Sequence, residues 1–142
     1  GIIEMLKHYN ILLAGKTVAI VGRSLIVGVP LIHLLLQENA TVSVFHSKSV
    51  DTAKNLKNFD VVCVAIGKPS AFKYSDFKKD AVVIDVGINR TEKGLVGDVL
   101  NDTAESSIHL KAATPVPGAV GVMTIAMLMK NTLALAKLRR LL

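Results

Sequence analysis

Short aliphatic runs recur along this chain, separated by stretches in which apolar residues fall at helical spacing. Thr17-Val18-Ala19-Ile20-Val21, Thr41-Val42-Ser43-Val44-Phe45, Asp60-Val61-Val62-Cys63-Val64-Ala65-Ile66 and Ala81-Val82-Val83-Ile84-Asp85-Val86 read as buried strands, and a fifth is predicted over residues 109–113. Helices are predicted over residues 2–9, 30–38, 51–58 with Asp51 as the cap, around 101–107, and from Met123 onward. Pro30 sits near the start of its helix, where no amide partner is lost. Residues 75–79 suit a single helical turn, and Glu92-Lys93-Gly94-Leu95 a hairpin turn before a Pro/Gly loop over residues 114–121. Strands alternating with helical stretches over short loops predict an α/β fold, a doubly wound and mostly parallel sheet with helices on both faces. No repeat, linker or low-complexity segment divides the 142 residues, which read as a single domain.

Composition sharpens this picture. The chain is 51% hydrophobic and only 4% aromatic, so Val, Ile, Leu and Ala must fill the core. No apolar run is expected to reach transmembrane length, and no signal-peptide pattern is seen. The chain begins at Gly1 rather than Met, as if processed or cut from something longer. A lone Cys63 inside an aliphatic run reads as an inert buried hydrophobe in a reducing, cytoplasmic setting. The net charge of +6 is scattered apart from Lys78-Lys79 and Lys137-Leu138-Arg139-Arg140. With no aromatic residues interleaved, nucleic-acid binding has only charge behind it, and a solvated surface is the better reading.

The informative stretch is Val18 to Pro30: a buried strand, a glycine turn and a helix start. Gly22 permits a tight turn, Gly28 lets the helix pack closely, and the helix N-terminus offers amides to a pyrophosphate. This is the context of a Rossmann-type dinucleotide site, although Gly-x-Ser-x-x-x-Gly departs from the usual Gly-x-Gly-x-x-Gly. The second strand ends in Phe45-His46-Ser47-Lys48-Ser49, and no Asp or Glu lies between Thr41 and Val50 to accept bonds from a ribose. Arg23 and Lys48 instead offer positive charge, which favours NADP; the plain alternative is that both are solvated.

The residues resemble a known family at this point. Gly22-Arg23-Ser24-x-Ile26-Val27-Gly28, His46-Ser47-Lys48, Val83-Ile84-Asp85-Val86-Gly87-Ile88-Asn89, Gly97-Asp98-Val99 and Thr114-Pro115-Val116-Pro117-Gly118 occur in this order in the bifunctional methylenetetrahydrofolate dehydrogenase/methenyltetrahydrofolate cyclohydrolases. The resemblance covers essentially the whole chain and implies its second, NADP-binding domain, in a homodimeric parent whose folate-binding domain is expected upstream. It implies that Arg23, Ser24 and Ser47, with Lys48 beside them, meet the NADP phosphates. The turn from Ile26 to Gly28 would lie under the pyrophosphate, Gly67 near the adenosine side, and Ile88 and Thr124 beside the nicotinamide amide. Pro117, Gly118, Val120 and Gly121 would face nicotinamide and folate. The family usually reads Pro-Gly-Gly-Val-Gly-Pro-Met-Thr where this chain has Pro117-Gly118-Ala119-Val120-Gly121-Val122-Met123-Thr124. Ala119 is in question if that backbone needs positive φ, and Val122 gives up proline's restraint.

Hydride transfer between two stacked rings needs positioning more than acid–base help, whereas the cyclohydrolase step needs a proton-handling group. The resemblance places that group, a Lys of a Tyr-x-x-x-Lys motif, in the first domain, so no catalytic residue is expected here. Tyr74-Ser75-Asp76-Phe77-Lys78 has the same spacing, also used by short-chain dehydrogenases, but falls on a charged connection and reads as a solvated turn. His8, His33 and His109 lack metal-ligand spacing and read as structural. Asp85 and Asp98 close aliphatic runs at the likely cofactor edge, with loop capping an equal alternative. Two functions stand: the cofactor domain of a folate dehydrogenase, inactive alone, and a non-catalytic module that senses NADP or docks a partner. From Val122 to Met129 only Thr124 is polar, so the last helix expects cover on more than one side.

Overall fold

A computed structural model describes residues 1–92, 94–100 and 109–140, which form a two-sided parallel sheet. Among the described residues, helices α1 (Ile2–His8), α2 (Gly28–Gln37), α3 (Thr52–Leu56) and α4 (Val120–Arg139) accompany nine strands. These are β1 (Thr17–Val21), β2 (Thr41–Phe45), β3 (Val61–Val64), β4 (Phe72–Lys73), β5 (Val82–Asp85), β6 (Asn89–Thr91), β7 (Gly94–Val96), β8 (Val99–Leu100) and β9 (Ala112–Ala113). The main sheet runs β2-β1-β3-β5-β9, and every pairing in it is parallel. Winding therefore reverses between β1 and β3, and such a switch point opens a crevice beyond the carboxyl ends of the strands. Val21 pairs with both Phe45 and Val64, and Val64 with Asp85, so four strands end level with one another. Whatever the loops at that edge carry is presented on one rim.

Alternation along the strands divides the core into two layers. Val18, Ile20, Val61, Cys63, Val82 and Ile84 face α1 and α2, meeting Met5, Leu6, Leu31 and Leu35. Ala19, Val21, Val62, Val64 and Val83 face the other way, onto Leu56, Phe72 and Phe77. Gly28, Leu31 and Leu35 are the buried stripe of α2, spaced as one helical face demands. Cys63 is buried, and burial pushes its thiol up to about 12, so it is inert as expected.

Several expectations need correction. Asp51 sits at the N-cap of α3 but in left-handed backbone, φ 51°, and makes no side-chain cap bond. The fifth strand shrinks to two residues, and the helix predicted around 101–107 lies outside the described residues. The parallel pair β4–β8 was not anticipated. The hairpin is present as β6–β7. Ala119 caps α4 with φ −92°, so its side chain is tolerated, and Val122 lies inside a helix that starts earlier than predicted. Helix α4 is also long and apolar enough, by length and composition, to cross a membrane, with a mean hydropathy of 1.2, contrary to expectation. The unbroken run ends at Lys130-Asn131-Thr132, yet the average over the helix stays high.

Candidate functional site

Two glycine-bearing turns meet at the switch point. In the first, between β1 and α2, Gly22 takes φ +123° and abuts the Ala65 carbonyl so closely that a Cβ would overlap it. A Cβ on Gly28 would likewise overlap the Gly22 carbonyl, so the first turn of α2 rests directly on the strand exit. The Gly22 N–H donates to Phe45 O at 2.8 Å, joining the exits of β1 and β2. Val27 N–H donates to Ser24 Oγ at 3.2 Å, and Val29 N–H to Ser24 O at 3.0 Å, which folds the turn on itself. Among the described residues, the N–H groups of Arg23, Ser24, Leu25, Ile26 and Gly28 have no partner. Amides without partners at a helix N-terminus form an anion seat.

The exit of β2 supplies the neighbouring wall. His46 N–H donates to Ser49 Oγ at 2.9 Å, and Lys48 N–H to His46 Nδ1 at 3.2 Å. Ser47 and Lys48 stand exposed at the tip of this small turn, and Arg23 is exposed on the adjoining strand exit. The expected cationic residues therefore emerge from adjacent strand ends, with no carboxylate between them.

The second turn, after β3, is closed by a carboxylate. Asp98 is fully buried; its Oδ2 accepts the N–H groups of Ile66 (2.7 Å) and Gly67 (2.9 Å). Its Oδ1 accepts Lys68 N–H at 2.9 Å and Asn89 Nδ2–H at 2.9 Å. Asp85 fixes Asp98 in turn: its Oδ1 accepts the N–H groups of Gly87 and Asp98, and its Oδ2 that of Val99. Burial pushes the Asp85 carboxyl above the ordinary carboxylate range, the three amides oppose the rise, and the neighbouring Asp98 charge adds to it. Of the two readings open for Asp85 and Asp98, the loop-bracing one describes their contacts. The brace spans some thirty residues of sequence, and its one signal was a pair of carboxylates closing aliphatic runs.

Beyond β5 the rim continues. Ile88 is 58% exposed, and its Cδ1 lies 3.4 Å from where a Cβ on Gly121 would stand. Thr124, one turn further along α4, is exposed and donates to Val120 O at 3.0 Å. Pro117 and Gly118 (φ +125°) lead into that helix, so the loop expected to face a substrate borders Ile88. Gly67, just after β3, is exposed, with φ +64°.

Tyr74 and Lys78 have separate surroundings. Lys78 Nζ reaches Asp60 Oδ1 at 2.7 Å, and Asp60 Oδ2 accepts Thr17 N–H at the start of β1. That is the amino end of the sheet, opposite the crevice. Tyr74 is half-buried rather than solvated, a correction, because it packs against the second core layer. Burial, and then Asp85, push its hydroxyl up, away from an acid's working range. Among the described residues no cluster of His, Cys, Asp and Glu could hold a metal ion.

Known proteins are similar to this chain in sequence and in fold. The model of the tetrahydrofolate dehydrogenase/cyclohydrolase NAD(P)-binding domain matches residues 1–140. The bifunctional protein FolD of Thermus thermophilus is 49% identical over 140 residues, covering 99% of this chain and 49% of that protein. The crystal structure of the bifunctional FolD methylenetetrahydrofolate dehydrogenase/cyclohydrolase from Campylobacter jejuni superposes with a TM-score of 0.90 at 45% identity, covering 97% of this chain and 49% of its own. The Trypanosoma brucei enzyme, solved with NADP cofactor and an inhibitor, has a TM-score of 0.83 at 38% identity over 93% of this chain and 47% of its own. The chain spans about half the length of the curated relatives it matches.

Proposed function

This chain belongs to the tetrahydrofolate dehydrogenase/cyclohydrolase family as its NAD(P)-binding domain, and we propose that it holds NADP for a methylenetetrahydrofolate dehydrogenase that also carries methenyltetrahydrofolate cyclohydrolase activity. The observation that carries this reading is the turn at the switch point whose amides have no partner among the described residues, beside cations from a strand exit with no Asp or Glu between Thr41 and Val50. Ile26 and Gly28 seat the pyrophosphate on backbone N–H groups, over the tight turn that Gly22 permits. Arg23, Ser24, Ser47 and Lys48 hold the 2′-phosphate by charge-assisted bonds, which NAD cannot form. Gly67 borders the adenosine side, while Ile88 and Thr124 line the nicotinamide side. Pro117, Gly118, Val120 and Gly121 form the floor on which folate meets the ring.

A bound NADP would supply the hydride acceptor for the one-carbon unit, and this chain's part is to hold ring and folate at contact distance. Proton handling for the cyclohydrolase step belongs to a separate folate-binding domain in the same protein. Helix α4 supports such a neighbour. No residue in it is buried, and Ile125, Leu128, Met129, Leu133 and Leu135 are each more than half exposed. Lys130, Asn131 and Thr132 at its middle are costly in a bilayer, so protein cover is the reading we adopt. The parent is a cytoplasmic homodimer in this scheme.

Titration of the protein with NADP and NAD tests the reading, followed by addition of a separately produced folate domain. NADP binding without turnover, then turnover on mixing, is the expected sequence. Failure to bind either nucleotide sinks the proposal, and binding without turnover in the reassembled protein favours a sensor.

A further inference from the structure

Asp98 ties the loop after β3 to the loop after β5 along the rim of the proposed cofactor crevice. Three consecutive N–H groups, from Ile66, Gly67 and Lys68, converge on it from the adenosine side. The Asn89 amide reaches it from the nicotinamide side, next to Ile88. Successive amides around a left-handed glycine form an anion nest, and here the chain's own carboxylate fills it. We infer that Asp98 is a positioning residue that sets the spacing between the adenosine-side and nicotinamide-side loops, so that both halves of one dinucleotide seat together. This rests on the cofactor reading above.

The chemistry requires a carboxylate. Both oxygens accept only N–H donors, so an amide in its place must aim an NH2 at other N–H groups in either rotamer. The fit is close as well, because a Cβ on Gly87 would overlap the Asp98 carboxylate. Asp85 then holds the Asp98 and Val99 amides, so the clamp itself cannot drift along the loop.

Asp98→Asn and Asn89→Ala separate positioning from bulk stability when each folded variant is titrated with NADP, NAD and 2′,5′-ADP by calorimetry. Asp98→Asn is expected to raise the Kd of all three by about tenfold or more while leaving the NADP-to-NAD ratio unchanged. Asn89→Ala cuts only one arm, and should weaken NADP and NAD several-fold yet leave 2′,5′-ADP within twofold. A role in stability alone would lower the melting temperature and leave these constants unchanged, and that result overturns the inference. Should Asp98→Asn not fold, the Asn89→Ala split decides: a split supports it, and constants equal to wild type refute it. Failure of the unaltered protein to bind 2′,5′-ADP is a different outcome, for it removes the cofactor reading itself.

Discussion

The two turns at the switch point look alike in sequence and differ in what their amides do. Both follow an aliphatic strand and both carry a glycine at positive φ, Gly22 and Gly67. After β1, the amides of residues 23–26 and 28 have no partner among the described residues; after β3, those of residues 66–68 are all committed to Asp98. The second turn holds an internal anion, and the first is the proposed seat for an external one. Glycine spacing alone does not distinguish them. Counting where each N–H goes does.

The largest expected effect strikes the open turn. Gly28→Val forces side-chain atoms into the Gly22 carbonyl, and overpacking of this kind costs about 1–3 kcal/mol before the branched side chain is counted. NADP and NAD binding should both fall by roughly 100-fold or more on a calorimeter, since each 1.4 kcal/mol is about tenfold. Retained binding would break the contrast between the turns.

Arg23→Ala sharpens it. NADP should weaken by about 1.5–3 kcal/mol, the range for bonds to charged groups, with NAD nearly unchanged. Equal losses for both nucleotides would remove the 2′-phosphate from this wall.

The amino end of the sheet is a control that touches neither turn. The Lys78 hydrogen bond and the Thr17 amide hold the Asp60 carboxyl down at about 2. Its contribution is therefore complete above the ordinary carboxylate pKa and is lost as pH falls from about 4 toward 2, roughly 1–2 kcal/mol once solvent screening is allowed for. Lys78→Ala should flatten that limb of an acid denaturation series and leave NADP affinity at neutral pH unchanged. The smallest effect is on turnover: Tyr74→Phe and Lys78→Ala in the full-length protein should keep activity within a few-fold. A drop of about a hundredfold, the scale of a lost acid–base group, would return them to the active site.

The sheet was legible because strands buried on both faces read as unbroken aliphatic runs, and Val18–Val21 and Val61–Val64 are of that kind. Helix α4 was legible as an exposed apolar surface because its sequence leaves no polar face. The open turn could be located from Gly22, Ser24 and Gly28, but its lack of partners could not. Asp98 acts across thirty or more residues, a separation at which local pattern carries no signal. The β4–β8 pair involves two residues on each strand, too short for any period to register. Asp51 misled because a residue type favoured as a cap also tolerates left-handed backbone, and here it does only that.

Cys63 offers this chain a clock. It sits in β3 between β1 and β5, fully buried, with its thiol pushed up to about 12. A thiol reagent reaches it only when the middle of the sheet parts, so its labelling rate under native conditions reports that opening and little else. Fraying of α4 or of the rim loops would pass unrecorded. A nucleotide seated across β1 and β3 would slow the clock, and the extent of slowing would measure how strongly the crevice is coupled to the sheet beneath it.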